Sequence, residues 1–174
     1  AVEHPKVPGL FLLTAPARLR GRPVTETQMA DLLREVRRRF DFCLLDAPAG
    51  LGRGFQLATC AADRCVVVTT ADASSLRDAQ HTVMELDRFP AGALHLVVNR
   101  VRKKLLRQLH ATIDDAIDKA GLPLLGVVPE DDALPLCMNR GVPILLADGQ
   151  SAAAAYRNIA KRLQGERVPL LRIR

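Results

Sequence analysis

Short apolar runs and longer stretches of helical periodicity alternate along most of the chain. Turn residues bound five apolar runs, each of which we interpret as a strand: 10–13, 42–45, 65–69, 94–98 and 124–128. None of these runs alternates polar with apolar residues. The pattern therefore predicts strands that are covered on both faces, as in a parallel sheet.

Amphipathic helices are predicted between these runs. The first spans the apolar stripe 29–40, and Thr25 and Gln28 before it can form a capping box. Further stripes predict one helix from Leu76 to Leu86 and another from 106 to 120, and an Ala-rich segment predicts a last helix at about 151–163. Strand and helix alternate, so the predicted fold class is α/β, a mostly parallel sheet with helices on both faces. With 48% hydrophobic residues, we interpret 1–174 as a single domain.

The charge balance narrows the choice of partners. The chain has 25 Lys and Arg against 19 Asp and Glu, for a net charge of +6, and basic residues cluster at 37–39 and 100–107. Such clusters are typical of nucleic-acid or anionic membrane surfaces. Only 3% of the residues are aromatic, and no aromatic side chains alternate with the basic ones for base stacking. The sequence thus favours a solvated surface over a nucleic-acid interface.

The four cysteines, Cys43, Cys60, Cys65 and Cys137, follow neither a metal-binding nor a dense disulfide spacing. We interpret them as small buried apolar residues in a reducing cytoplasm. No signal peptide is visible at Ala1, and no apolar run reaches the length of about 18 residues that a bilayer span needs. The predicted location is cytoplasmic.

Ligands of open parallel sheets bind beyond the carboxyl ends of the strands, so the residues after each apolar run are the first candidates. Asp46 follows the run 42–45, and Pro48 and Gly50 come soon after it. A carboxylate at a buried strand tip can hold Mg²⁺ beside a nucleotide phosphate, and the following turn can direct backbone N–H groups at that phosphate. A purely structural role, in which Asp46 caps the next helix, stays open.

Two further strand ends carry polar residues. Asn99 and Arg100 follow the fourth run, and Pro129, Glu130 and Asp131 follow the fifth. An Asn amide can both donate to and accept from an adenine edge, and an acidic turn can close the other side of a base. Together the strand ends predict one crevice for a nucleotide.

The order and spacing of several motifs then resemble a known family. The motifs are FCLLDAPAG at 42–50, SSLRD at 74–78, VVNR at 97–100, VVPED at 127–131 and NRGVP at 139–143. From about 6 to 169 the chain resembles the MinD septum-site-determining ATPases, which belong with the ParA partition proteins to the deviant Walker A group. The single-proline turn after Asp46 and the SSLRD stretch favour MinD over ParA.

The resemblance implies a P-loop NTPase fold of the SIMIBI type, with ATP and Mg²⁺ as cofactors. By matching position, Asp46 would be the Walker B magnesium residue, and Gly50 the switch II glycine near the γ-phosphate. Asn99 would contact the adenine, and Pro129 with Asp131 would close the base pocket. Pro48, Arg100 and Glu130 complete the expected nucleotide-binding set.

The resemblance also implies partners. Ser74, Ser75, Arg77 and Asp78 would lie on a surface for protein partners, namely division proteins of the MinC and MinE or DivIVA systems. ATP binding would drive homodimerisation. The family's C-terminal amphipathic helix would place the protein peripherally at the inner face of the cell membrane, but 168–174 is too short for a stable interfacial helix.

The chain departs from the family at the phosphate site. It contains no Gly-Lys pair, and no Lys lies between Lys6 and Lys103. We therefore expect the segment to lack the N-terminal strand and the P-loop, and to be inactive alone. The leading hypothesis is an ATP-dependent regulator of division-site placement. The alternatives are a ParA-like partition or flagellar-number regulator with 100–107 as its basic surface, and a non-catalytic interaction domain that has lost its P-loop.

Overall fold

A computed structural model of the protein describes residues 1–14, 23–108, 112–146 and 151–171. The elements of these ranges follow in chain order: β1 Val2–Glu3, β2 Phe11–Leu12, α1 Glu26–Arg37, α2 Arg53–Thr59, β3 Cys65–Thr69, α3 Ala73–Met84, β4 Leu94–Val101, α4 Lys103–Gln108, α5 Ile113–Ala120, β5 Leu124–Pro129, α6 Ala133–Asn139, a 3-10 helix Ile144–Leu146 and α7 Ser151–Leu163. No helix among the described residues is long and apolar enough to cross a bilayer.

The chain packs as two compact units, Ala1–Asp46 and Ala47–Arg174. Each unit is described by itself. That residues 1–174 form one domain stays a prediction.

The second unit is built on a three-stranded parallel sheet in the order β3-β4-β5. Alternate residues of the central strand β4 point to opposite sides, where they enter two separate apolar clusters. Leu96 and Val98 pack with α3 and α5 on one face, whereas Val97 packs with α7 on the other. The predicted α/β fold with a parallel sheet and helices on both faces is confirmed.

The edge strand β3 differs from the prediction in one respect. Val67 is buried between Val66 and Val68, both of which are exposed, Val68 to 59%. One face of β3 is therefore uncovered by the described residues, and the expectation that every strand is covered on both faces is wrong here. The cluster that contains α7 covers this side of the sheet at β4 and β5, but it includes no residue of β3.

The helices follow their local signals with one exception. Thr25 and Gln28 form the predicted capping box of α1, and α7 has the predicted bounds. The single helix predicted over 106–120 is wrong, because Thr112 is extended and caps a new helix, α5, through a hydrogen bond with the Asp115 backbone. Leu109 of that stripe lies outside the described residues.

The described residues of the first unit, 1–14 and 23–46, form one helix, α1, and two short strands. Its strands β1 and β2 pair antiparallel, Val2 opposite Leu12, and the rings of Phe11 and Phe40 meet edge to face at 5.3 Å. The run 10–13 was expected to join the parallel sheet, and this expectation is wrong. Only two of its residues form a strand, and they pair with the neighbouring segment of the same unit.

The run 42–45 forms no strand, which corrects the second strand prediction. Phe42 is 66% exposed and Leu44 89% exposed. Apolar residues alone do not make a strand, since the backbone also needs a neighbour to bond; none of the described strands pairs with this run. Cys43 in the run is exposed, so its prediction as a buried residue is wrong; Cys60, Cys65 and Cys137 are half-buried.

Candidate functional site

The polar residues at the end of β4 lie in a β-bulge. Val98 pairs with Val127 and Val101 with Pro129, so β4 has one residue more than β5 over this stretch. Arg100 adopts a left-handed backbone with φ of +55°, which is uncommon for a residue with a side chain. Asn99 and Arg100 were expected after the strand. They instead lie inside β4, as the bulged residues before its last pair, Val101 with Pro129.

The bulge changes which way the side chains point. In a regular strand Val98 and Val101 would face opposite sides, but both are buried in the same cluster with α3 and α5. The extra residue is accommodated by Asn99 and Arg100, which lie outside that cluster. Asn99 is half-buried and Arg100 exposed. The bulge thus presents an amide side chain at the carboxyl end of the sheet while it keeps the core intact.

Glu130 holds this bulge from the neighbouring strand. Its backbone N–H donates to the Val101 carbonyl at 3.1 Å, and its carboxylate accepts hydrogen bonds from Arg100 Nη2 at 3.2 Å and from Arg102 Nε. The Glu130 side chain is 21% exposed, against 68% for Arg100 and 59% for Arg102. The hydrogen bond from Arg102 and the charge of both guanidinium groups hold the pKa of Glu130 below its ordinary value.

Asp131 is occupied by backbone groups. Its Oδ1 accepts from the Ala133 N–H at 3.1 Å, and its Oδ2 accepts from the Ala152 N–H at 3.1 Å and from the Ser151 hydroxyl at 3.2 Å. The Ala152 N–H is the main reason why the pKa of Asp131 lies below its ordinary value. Asp131 therefore ties the start of α7 to the turn after β5, and it can shape a base pocket by fixing these two elements.

Asn99 and Pro129 are the residues predicted to lie nearest the base. Asn99 and Pro129 lie on neighbouring parallel strands at the same end of the sheet, and among the described residues the Asn99 amide makes no hydrogen bond, so both its donor and its acceptor can face a ligand. The structure thus places Asn99, Arg100, Pro129 and Glu130 at the same end of two neighbouring strands, with Asp131 directly after them; their role in binding a nucleotide stays a prediction.

The residues predicted to bind Mg²⁺ and phosphate do not lie at a strand end. Asp46 is exposed and lies in irregular chain at the end of the first unit, not at the tip of a buried strand as expected. Gly50 lies in a bend with φ of +86°, and Pro48 packs so closely on Gly54 that a Cβ there would lie 2.4 Å from the ring. Within the described residues no three His, Cys, Asp or Glu side chains cluster as a metal site, so the Mg²⁺ role of Asp46 stays a prediction.

The end of β3 carries a hydrogen-bond network around the first turn of α3. Asp72 caps the helix by accepting from the Ser75 N–H at 3.0 Å and from the Ser74 hydroxyl at 2.7 Å. The Thr70 hydroxyl donates to Asp72, and its oxygen lies 2.8 Å from Ser75 Oγ. The Ser74 hydroxyl, with those of its neighbours, holds the pKa of Asp72 far below its ordinary value.

This network limits the predicted partner surface. Ser75 is half-buried in the cap, whereas Ser74, Arg77 and Asp78 are exposed on the same helix.

Two residues that shape these strand ends, Asp72 and Arg102, were not identified from the sequence. Asp72 stands three residues before Ser75, the spacing of a helix cap, so the sequence did carry a local signal for it. Arg102 carried none, because its pairing with Glu130 depends on two strands that are far apart in the sequence.

The chain is similar to one protein-family model and to several MinD proteins. A family model described as cellulose biosynthesis protein BcsQ matches residues 15–162. The septum site-determining protein MinD of Synechocystis is 32% identical over 173 residues, which is 98% of this chain and 65% of that protein. MinD of Bacillus subtilis is 35% identical over 163 residues, 92% of this chain and 61% of that protein. The chain thus spans somewhat less than two thirds of the length of these relatives.

Solved structures of MinD proteins superpose on this chain. A MinD cell division protein of Aquifex aeolicus superposes with a TM-score of 0.80 at 30% identity, over 86% of this chain and 64% of that one. A MinC:MinD complex from the same organism gives 0.80 at 29% identity, over 86% and 63%. MinD of Pyrococcus horikoshii complexed with Mg-ADP gives 0.67 at 25% identity, over 80% and 56%.

Proposed function

This chain belongs to the MinD/ParA family of ATPases, and from that premise we propose that it is the base-binding part of an ATP-dependent regulator of division-site placement. The observation that carries the proposal is the juxtaposition of the Asn99 bulge on β4 with the Pro129 turn on β5. Relatives with MinD in their names support the division role, and the relative complexed with Mg-ADP supports the nucleotide class.

Each residue has a distinct part in the proposed site. The Asn99 amide donates to and accepts from the adenine edge, and Pro129 and Asp131 shape the pocket wall. Asp46 supplies a carboxylate toward Mg²⁺, and Gly50 lets the backbone turn toward the γ-phosphate. When bound, Mg²⁺ would neutralise charge that develops on the phosphates.

The test of base recognition is a titration followed by nuclear magnetic resonance. Adenosine should shift the side-chain amide signals of Asn99, whereas guanosine, whose edge carries a different donor and acceptor pattern, should shift them less. Asn99→Ala should abolish the preference. Equal responses to both nucleosides would contradict the proposed base site.

The phosphate side of the proposal predicts weak binding by the 174 residues alone. They contain no Gly-Lys pair to cradle and neutralise phosphates. Calorimetry with ATP and Mg²⁺ should therefore detect little or no binding. A low-micromolar dissociation constant would show that another group replaces the phosphate loop.

In a longer protein that joins these residues to a phosphate-binding loop, Asp46→Ala should abolish ATP turnover and leave folding intact. Asp41→Ala is the matched control, since Asp41 is also an exposed carboxylate of the same segment. Unchanged turnover in the Asp46 variant would contradict the Mg²⁺ role; helix capping is not the alternative, because Gly52 is the N-cap of the next helix, α2. ATP-driven homodimerisation belongs to the same proposal and should be lost in that variant.

The exposed residues of α3 are the proposed partner surface, for a protein of the MinC class and for the MinE or DivIVA systems. A relative assembled with MinC supports this choice. Arg77→Glu should weaken capture of such a partner, whereas His81→Glu, at another exposed position of α3, should not. Peripheral attachment to the inner face of the membrane, from a cytoplasmic pool, stays a prediction.

A second candidate function comes from the family model. The BcsQ description covers 15–162, most of the chain, and favours a role in cellulose biosynthesis. Deletion of the gene separates the two functions: misplaced septa support division-site control, and lost cellulose with normal septa supports the second candidate.

A further inference from the structure

Glu130 contacts every part of the bulge that carries Asn99. Its N–H bonds the carbonyl of Val101, the residue directly after the bulge. Its carboxylate binds Arg100 inside the bulge and Arg102 one residue beyond Val101. The residue directly after β5 thus clamps the bulged end of β4 through both its backbone and its side chain.

The clamped conformation is one that the local sequence disfavours. A left-handed backbone at a residue with a Cβ costs roughly 1 kcal/mol or more and persists only when surrounding contacts enforce it. At Arg100 the contacts that enforce it include the ion pair with Glu130. The burial of Val98 and Val101 in one cluster also favours the bulge, so loss of the clamp should shift only part of the population at Arg100 toward ordinary strand geometry, and Asn99 with it.

We propose that Glu130 is a positioning residue, which holds the Asn99–Arg100 bulge so that the Asn99 amide is aimed at the nucleotide base. This inference rests on the proposed function, in which Asn99 reads adenine. It reassigns Arg100 and Glu130 from direct nucleotide contacts to the support of Asn99. The occupied carboxylate of Glu130, already shared by two guanidinium groups, is the observation that favours this reassignment.

Two variants separate positioning from contact. Glu130→Gln removes the charge and keeps the size of the side chain and the backbone bond to Val101. Arg100→Gly removes the guanidinium but leaves a residue that adopts positive φ freely, so the bulge should survive without the clamp. Resonance measurements on the full 174-residue chain give two readouts: the backbone coupling and Cα shift of residue 100, which report its φ, and the adenosine titration of Asn99.

In Glu130→Gln, the signals of Arg100 should move toward ordinary strand values, and the affinity for adenosine should fall about fivefold, the worth of one hydrogen bond. In Arg100→Gly, the affinity should fall less than in Glu130→Gln, because the bulge persists. If both variants lose affinity equally, Arg100 or Glu130 touches the ligand and the positioning role is overturned. Unchanged signals and affinity in Glu130→Gln would also overturn it.

The two proposals fail in different ways. If adenosine leaves the Asn99 signals of the unmodified chain unaffected, the proposed base site is wrong. The φ of residue 100 in Glu130→Gln then still decides whether Glu130 holds the bulge: a shift supports the clamp, and no shift overturns it.

Discussion

The central strand β4 and the run 42–45 are similarly apolar, yet they have opposite fates. Leu96 of β4 is completely buried between two strands and two helices, whereas Leu44 in the first unit is 89% exposed and belongs to no strand. Both are leucines in short aliphatic runs. What differs is the neighbourhood: β4 has a hydrogen-bonded strand on each side, and none of the described strands pairs with 42–45.

Hydrophobic composition favours the burial of a segment, but composition alone does not bury it. A strand satisfies its backbone only through a partner, and its side chains gain free energy only when a second layer covers them. The second unit supplies both conditions for β4 and β5. It supplies them only in part for β3, whose outer residues Val66 and Val68 stay exposed.

The largest expected effect separates the two leucines directly. Leu96→Ala should lower the free energy of unfolding by about 3 kcal/mol, because it leaves a cavity in the sealed core. Leu44→Ala should change it by less than about 0.5 kcal/mol, as expected for an exposed side chain. Urea unfolding of both variants measures the difference, and equal losses would erase the distinction between the two regions.

A slightly smaller effect tests how tightly the second unit is packed. A Cβ at Gly126 would lie 2.4 Å from Cγ1 of Ile159 on α7, so Gly126→Ala should cost roughly 1–3 kcal/mol by overpacking. The double variant with Ile159→Ala should lose less than the sum of the two single losses, because the smaller side chain makes room for the methyl group. Additive losses, measured by the same urea method, would contradict this packing.

Loss of the α3 helix cap should lower the free energy of unfolding by about 1 kcal/mol. Asp72→Ala should destabilise the second unit by about that amount through loss of the α3 cap, whereas Asp78→Ala, on the exposed face of α3, should change little. Because hydrogen bonds lower the folded pKa of Asp72, its contribution is fully present above the unfolded pKa of about 3.9 and is lost as the pH falls below it.

The measurement is thermal melting at neutral pH and below about pH 4. The gap between the unmodified chain and Asp72→Ala should narrow in acid. A gap that is independent of pH would argue against the carboxylate as the capping group.

The smallest effect on stability concerns the exposed apolar surfaces, which should instead govern association. The uncovered edge strand β3 is a template for pairing with another chain. Val68→Lys should reduce self-association in sedimentation experiments and change the unfolding free energy by less than about 0.5 kcal/mol. Leu44→Lys tests whether the first unit contributes to self-association. If the unmodified chain already sediments as a monomer, neither surface drives association.

The sequence by itself determined the elements whose causes are local. Periodicity located α1, α3 and α7 and the strands β3, β4 and β5, and short-range side-chain signals predicted the cap at Thr25 and the helix end at Gly121, which adopts φ of +66°. These features depend on hydrogen bonds and side-chain contacts within a few residues, so the sequence pattern carries them. The same pattern placed Asn99 and Pro129 at neighbouring strand ends.

Only the tertiary structure decided the features that depend on a distant partner. The run 42–45 lacks a strand although its composition favours one, and the left-handed backbone of Arg100 exists beside Glu130, thirty positions along the chain. The Asp131 carboxylate likewise accepts hydrogen bonds from the start of α7, twenty residues along the chain. Pairing, ion-pair clamps and capping across elements depend on which segments meet in space, and no local periodicity records that.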